Sequence, residues 1–579
     1  MFDAKNRRKR FPLFPGCDRD ECECGLVLYN RQKDAHRPES QAQSCLQIPS
    51  CALYSAKFEV FLLYAVTYGI ALYGIEGLVI GIETDVQTGL PSFEMVGLPA
   101  SSIREAKERV RAALVNSGFT WPRSRITVSL TPADWKKEGS GLDLPIAIAI
   151  LIASEQLAPI PHTTVLLGEL ALDGSVRTFK GLYASVKCAS DLGAERIIFP
   201  ITEGIEFDPP CDSILTVQIA SLLETVQILK GHAIHRDDLN TPRSSVLIGA
   251  KTPRHEIISQ LDDQFPDFHD IVGQEHAKRA MLISAIGGHH LLLYGPPGSG
   301  KSMLAERFAS ILPNLTRIEY AELRHIYSIA GFSLPEQPKR PFRSPHHTIT
   351  AQGLLGGGSQ PRPGEISLAH HGILFLDELP EFSRKALEGL RQPLEAKKIT
   401  VSRSSYTMTF PCNFYFIAAM NPCPCGYHGY SSKIHHCRCS IRDIDRYRAK
   451  ISGPVLDRID MTLWVTPTPQ TAWSNFTGTN ELSSEVMRVM VQEAIEFKNE
   501  RESSSHFTNS SFPQETVWSM FAFDKASQDL LLSAANRLHL SNRSLRKITE
   551  VARSIADLEH SIIVRVEHVA EALQYRSYT

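Results

Sequence analysis

The segment Gly295-Pro296-Pro297-Gly298-Ser299-Gly300-Lys301-Ser302 lies between the apolar run Leu291–Tyr294 and a helical stretch beginning near Met303. Glycines let a backbone curl until successive N–H groups face phosphate oxygens. Lys301 adds a point charge for the β- and γ-phosphates, and Ser302 adds a hydroxyl for Mg²⁺. The pattern predicts a strand, a phosphate loop and a helix that together bind ATP and Mg²⁺. A second apolar run, Ile373–Leu376, ends in Asp377 and Glu378. Buried strands present acids at their tips. There Asp377 would complete the Mg²⁺ shell, and Glu378 would polarise the water that attacks the γ-phosphate. A third run, FYFIAAM, ends at Asn421, a polar residue able to sense that phosphate or to position water.

Two arginines complete the phosphoryl-transfer set. Arg458 lies in Leu456-Asp457-Arg458-Ile459-Asp460 and could reach a neighbouring subunit's nucleotide, with an ion pair to Asp457 or Asp460 as the structural alternative. Arg543, just before a helical run, could cover the phosphates from a lid, with Arg546 as its rival.

Cys423 and Cys425, then Cys437 and Cys439, form two CxC pairs eleven residues apart. Four thiolates in two tight pairs suit tetrahedral Zn²⁺, and His428, His435 or His436 could replace one of them. Reduced loop thiols are the alternative. Lys433, Arg438, Arg442, Arg446, Arg448 and Lys450 follow against only Asp443 and Asp445, a local basic patch of the kind that neutralises phosphates. Lys397, Lys398 and Arg403 sit in a strand-like insertion and are read as contacts to a nucleic-acid strand.

These residues need several domains to hold them, and 579 residues suffice for three or four. The 1–65 segment reads as a poorly ordered extension; its CDRDECECG stretch lacks a second ligand pair. The 66–235 region alternates β-branched runs with helical stretches, an α/β or α+β pattern. A linker at 236–266, a nucleotide-binding core at 267–465, a linker at 466–482 and a helical domain at 483–579 follow. In the last, Leu545, Ile548, Ala552, Ile555 and Leu558 recur at helical spacing. The formal charge of −2 excludes a globally basic nucleic-acid binder, so DNA contact must come from local patches. The apolar stretch at 60–73 is too short for a membrane helix and reads as a buried strand, which with the absence of a signal-peptide pattern predicts a cytoplasmic protein.

The set GPPGSGKS, ILFLDE, AAMNPCPCG and SGPVLDRID, with DIVGQ at 270–274, resembles the ComM (YifB-like) proteins, AAA+ ATPases related to the magnesium-chelatase ATPase subunit. The resemblance spans about residues 66–579 and implies an α/β multidomain chain: a Lon-protease-like α+β domain, an AAA+ P-loop NTPase core and a C-terminal helical lid. It implies a homohexamer with nucleotide between subunits, Arg458 as the trans-acting finger, Arg543 as the lid sensor, and Val272 and Gly273 beside the adenine. It further implies a helicase that acts on single-stranded or branched DNA, promoting branch migration in natural transformation alongside recombination proteins. The alternatives are a chelatase-like subunit driving magnesium into a porphyrin and a non-enzymatic DNA-binding module; the intact Lys301, Asp377, Glu378 and Asn421 speak against the latter. The segments KKEGSGLDLP and LGELALDGSVR, with Lys180 to Tyr183, look like a Lon catalytic domain. The nucleophile and base slots hold Gly141 and Tyr183, neither of which can serve, though Ser140 and Lys180 lie close by. The domain therefore reads as a proteolytically inactive scaffold or DNA-proximal collar.

Overall fold

The computed structural model describes residues 64–202 (apart from 75, 101–102, 104, 134–136 and 138), 214–231, 266–332, 339–358, 361–403, 406–430, 436–468, 482–504 and 521–576. The 1–63 segment with its CDRDECECG motif, most of both expected linkers, Lys433 and His435 lie outside the described residues. The chain divides into two compact units, the first dominated by 78–179 and 185–238, the second by 239–579.

The first unit is built on a seven-stranded sheet. Its strands are β1 (Tyr64–Tyr73), β2 (Glu76–Gln87), β3 (Ser92–Val96), β4 (Arg125–Thr131), β5 (Thr164–Leu166), β8 (Arg196–Pro200) and β9 (Leu215–Ile219), in the order β3-β4-β2-β1-β5-β8-β9. The short pair β6 (Glu169–Leu170) and β7 (Val176–Arg177) stands apart. β1 bears out the strand reading of the early apolar stretch. Helix α1 (Ala106–Asn116) is amphipathic, whereas α2 (Asp143–Ala153, DLPIAIAILIA) is buried along its whole length. A helix apolar all round belongs at the centre of a core, and the polar contacts at its first turn orient it. Arg109 donates from Nε and Nη2 to the two carboxylate oxygens of Asp143, at 2.7 and 3.0 Å. Burial pushes the Asp143 carboxyl up to about 6 despite that guanidinium.

The second unit carries a five-stranded, all-parallel sheet of β10 (Leu291–Tyr294), β11 (Phe342–Arg343), β12 (Ile373–Leu376), β15 (Tyr415–Met420) and β16 (Met461–Trp464), ordered β11-β12-β15-β10-β16. Its central strands are nearly continuous apolar runs, as a sheet covered on both faces requires. The register aligns Tyr294 with Met420 and Trp464, and Leu376 with Ala418. Gly295, Asp377, Asn421 and Val465 therefore leave the sheet along one edge, where open parallel sheets bind ligands. The hairpin β13 (Lys398–Arg403) and β14 (Tyr406–Pro411) stands outside this sheet. It buries Ile399, Met408 and Phe410 and turns Lys398, Ser402, Thr407 and Thr409 outward. Helices α10 (Ser484–Ser504), α11 (Lys525–Arg537), α12 (Asn542–Leu558) and α13 (Val566–Gln574) share one apolar core with the sheet and with α5 (Glu275–Gly287). Ser541 starts α12 by accepting from the Ser544 N–H, and Leu545, Ile548, Ala552, Ile555 and Leu558 fill its buried face.

Candidate nucleotide site and cysteine cluster

The phosphate loop is shaped by glycines where side chains would not fit. A Cβ on Gly295 would lie 2.1 Å from the Val465 carbonyl oxygen, while Gly298 and Gly300 hold φ of +72° and +88°. Helix α6 (Lys301–Ile311) starts at the loop's end and turns the first N–H groups of its backbone toward the loop. The Lys301 ammonium donates to Gly295 O and Pro296 O at 2.9 Å and to Asn421 Oδ1 at 3.3 Å. Burial lowers its pKa, against the nearby Asp377 carboxylate. Ser302 Oγ donates to Asp377 Oδ2 at 2.9 Å. One hydroxyl, two acids, an ammonium and an amide thus converge from three separate segments.

Glu378 leaves the tip of β12 at φ 51°, ψ 47°, a left-handed conformation unfavourable for a residue with a Cβ. Its N–H donates to Asp377 Oδ1 at 2.8 Å, which fixes the acid pair, and its carboxylate is half-exposed. His347 Nδ1 lies 3.3 Å from Glu378 Oε2, with the His346 ring 4.1 Å away. The sequence reading missed both histidines; the only signal was their place just after the two-residue strand β11. The DIVGQ segment arrives beside the loop as well. Gln274 Nε2 donates to Thr466 O at 2.5 Å and reaches Ser299 O at 3.5 Å, and Thr468 Oγ1 donates to Val272 O at 3.3 Å. These contacts hold the Val272–Gln274 segment against the phosphate loop at Ser299.

The two arginines lie elsewhere. Arg458 donates from Nε to Arg391 O at 3.0 Å, from Nη1 to Pro454 O at 2.7 Å and from Nη2 to Glu395 Oε2 at 2.7 Å. Arg543 Nη2 pairs with the other oxygen of the same carboxylate, Glu395 Oε1, at 3.0 Å. Neither Asp457 nor Asp460 is the acid paired with Arg458. Asp460 instead accepts from the His290 N–H at 2.7 Å and pairs with Lys547. His290 and Asp460 precede β10 and β16, so this cluster occupies the sheet edge opposite the phosphate loop. The structure brings Arg458 and Arg543 to each other and not to their own chain's Lys301. Glu395 was missed because nothing in its surroundings in sequence marks it.

Asn421 is followed at once by the cysteine loop. The sulfurs of Cys423 and Cys425 lie 3.3 Å apart, those of Cys423 and Cys437 3.8 Å, and those of Cys425 and Cys437 3.6 Å. With Cys439 all four lie within 4.8 Å of one another. Zn–S bonds of about 2.3 Å in a tetrahedron separate sulfurs by about 3.8 Å, so these residues fit the ion. The His428 backbone N–H donates to Cys423 Sγ at 3.3 Å, and neither His428 nor His436 joins the cluster. Burial raises the Cys425 thiol, but backbone hydrogen bonds at Tyr427 and Arg438 and contacts with Cys423 and Cys439 outweigh it and bring it to about 6. Gly426 (φ +85°) seats this loop on the phosphate loop: a Cβ there would lie 2.7 Å from Pro297. Of the basic patch beyond, Arg446 pairs with Asp443 and Lys450 with Glu381, while Arg438 and Arg442 are exposed. A second group, Glu322 with His370 and His371, lies at the start of β12. His370 Nδ1 accepts from the Asn413 N–H at 2.9 Å, so its proton sits on Nε2, facing Glu322. That nitrogen offers no lone pair to a metal.

In the first unit, a Cβ on Gly141 would lie 2.5 Å from the Phe179 ring, which fills the space any side chain there would take. Ser140 Oγ donates to the Glu169 carboxylate.

The family model for magnesium chelatase subunit ChlI matches residues 267–473, that for subunit ChlI of Mg-chelatase matches 82–203, and that for its C-terminal part matches 481–576. The competence protein ComM of Haemophilus influenzae is 38% identical over 516 residues, covering 89% of this chain and 97% of that protein. The YifB protein of Escherichia coli is 38% identical over 519 residues, with 88% and 96% covered. Lon protease 2 of Bacillus subtilis is 27% identical over 150 residues, 24% of this chain and 27% of its own. No described helix is long and apolar enough to cross a membrane. With its phosphate loop, acid pair and parallel sheet in place, the chain belongs to the ComM/YifB family of magnesium-chelatase-type AAA+ ATPases.

Proposed function

We propose that the protein is a cytoplasmic, homohexameric motor that spends ATP on moving DNA strands, promoting branch migration in homologous recombination during natural transformation. The observation that carries the assembly is the placement of Arg458 and Arg543 at the sheet edge opposite the chain's own phosphate loop. An arginine that neutralises charge on the transferring phosphoryl group must touch it, so a complete site needs a second copy. Lys301, Ser302 and Asp377 then hold ATP with Mg²⁺, Glu378 polarises water, Asn421 senses the γ-phosphate through Lys301, and Arg458 and Arg543 serve the neighbour's nucleotide. The loop 295–303 with Val272 and Gly273 forms the nucleotide cradle, and Cys423, Cys425, Cys437 and Cys439 hold one structural Zn²⁺.

The DNA reading draws on the similarity to a competence protein. It also draws on the outward Lys398 of the hairpin and the exposed Arg438 and Arg442. The Lon-like region serves as a scaffold, since Phe179 occupies the space beside Gly141. A chelatase-like subunit is the second reading, favoured by the three family models. The deciding experiment is steady-state ATP hydrolysis with and without single-stranded or forked DNA at low and moderate salt, with Glu378→Gln as blank. Stimulation that fades with salt supports a motor contacting phosphates. Robust turnover indifferent to DNA refutes that and sends the search to a tetrapyrrole and partner subunits.

A further inference from the structure

Glu395 is the only acid paired with either arginine among the described residues, and it pairs with both. It is the penultimate residue of the six-residue helix α8 (Arg391–Ala396), and its side chain is 54% exposed. Arg458 is anchored besides by two carbonyls, Arg391 O through Nε and Pro454 O through Nη1, so its fork already points at Glu395. Arg543, at the first turn of α12, has Glu395 as its one ion-pair partner. Two guanidinium groups from separate elements thus grip two oxygens of one anion at 2.7 and 3.0 Å, on a half-open surface. That is the geometry with which a pair of arginines holds a phosphate.

We propose that Glu395 is a latch: its carboxylate occupies, in the unassembled chain, the place that the terminal phosphate of a second copy's nucleotide takes on assembly. This rests on the reading that Arg458 and Arg543 act on a neighbour, and it adds a regulation to that site. Glu395 keeps two like charges together and pre-aimed, and it also competes with the incoming phosphate. A competitor lowers the apparent affinity of assembly by the fraction of chains whose arginines it occupies. An exposed carboxylate pair is weak enough to yield to a phosphate, which carries more charge and more acceptor oxygens. Glu395 is a positioning residue in this scheme, since it touches no substrate.

The test is phosphate release by the full-length chain at saturating ATP and Mg²⁺, measured across protein concentration for wild type, Glu395→Gln and Arg458→Ala. Removing the competing charge is expected to lower the protein concentration for half-maximal turnover by about fivefold, the size of one exposed ion pair. Glu395→Asp retracts the charge by one methylene, is expected to shift that midpoint in the same direction, and carries the test if the glutamine variant melts early. An unchanged or raised midpoint, or a loss of turnover without that shift, overturns the latch. If Arg458→Ala turns over like wild type, the neighbour reading itself fails and the latch with it. If Arg458→Ala is dead and Glu395→Gln keeps the wild-type midpoint, only the latch fails.

Discussion

Gly426→Ala isolates the contact between the cysteine loop and the phosphate loop. At φ +85° an alanine costs about 1–2 kcal/mol for the left-handed backbone alone. Its Cβ also meets Pro297 Cγ and Cδ at 2.7 Å, and neither side can yield easily. Pro297 is a ring with fixed φ, held near Gly295, which is itself pressed against the Val465 carbonyl. Overpacking of this kind adds about 1–3 kcal/mol. Gly429→Ala is the internal control: it has φ +77°, but its Cβ meets only Trp464 at an ordinary 3.5 Å. Both variants strain the same loop, yet only one pushes on the residues that cradle phosphate. We expect Gly426→Ala to weaken a fluorescent ATP analogue about tenfold in an equilibrium titration, equivalent to about 1.4 kcal/mol. Gly429→Ala is expected to bind it like wild type, with both chains lowered in thermal melts. Equal losses of affinity in the two variants would refute the argument that Pro297 transmits the change.

Elemental analysis of purified protein is expected to give one Zn²⁺ per chain, lost in Cys425→Ser and after chelation, with nucleotide affinity falling alongside; a metal-free wild type binding ATP at full strength would count against a zinc-held cysteine loop supporting the phosphate loop. Asp460 gives a pH dependence. Burial raises its carboxyl, but His290, Lys547 and His289 outweigh this and hold it at about 2. Burial also pushes His289 down to about 4 and lowers His290, so Lys547 is the cation that counts at neutral pH. A depressed carboxyl stabilises the fold above the unfolded value near 3.8, and the contribution is lost as pH falls through 2. Urea melts should show about 2 kcal/mol of acid loss in that window, absent in Asp460→Asn, which at pH 7 leaves Lys547 buried and costs about 3–5 kcal/mol. Gly141→Ser should destabilise its domain by about 1–3 kcal/mol through its collision with Phe179, seen as a lowered melting temperature, and should release no peptidase activity; casein cleavage by that variant would reopen the protease question.

The phosphate loop, the acid pair and Asn421 were legible because each requirement is local: an apolar strand of four to six residues with its chemistry at the tip. The cysteine pairs were legible for the same reason, and the sulfur spacing now favours the Cys₄ shell over one containing His428 or His436. What the sequence could not reveal is where Arg458 and Arg543 would lie. Their address is set by Glu395, 63 residues before Arg458, at the end of a six-residue helix without any motif. That helix faces two ways. Its Arg391 carbonyl and Glu395 carboxylate hold Arg458, while Gln392 Oε1 accepts from the Thr400 N–H of the outward hairpin at 3.3 Å. An element of α8's length has little stability of its own and takes its position from what it touches. The surface read as a DNA contact and the arginines read as serving a neighbour therefore share one small support, and a shift of the hairpin must be felt at Glu395.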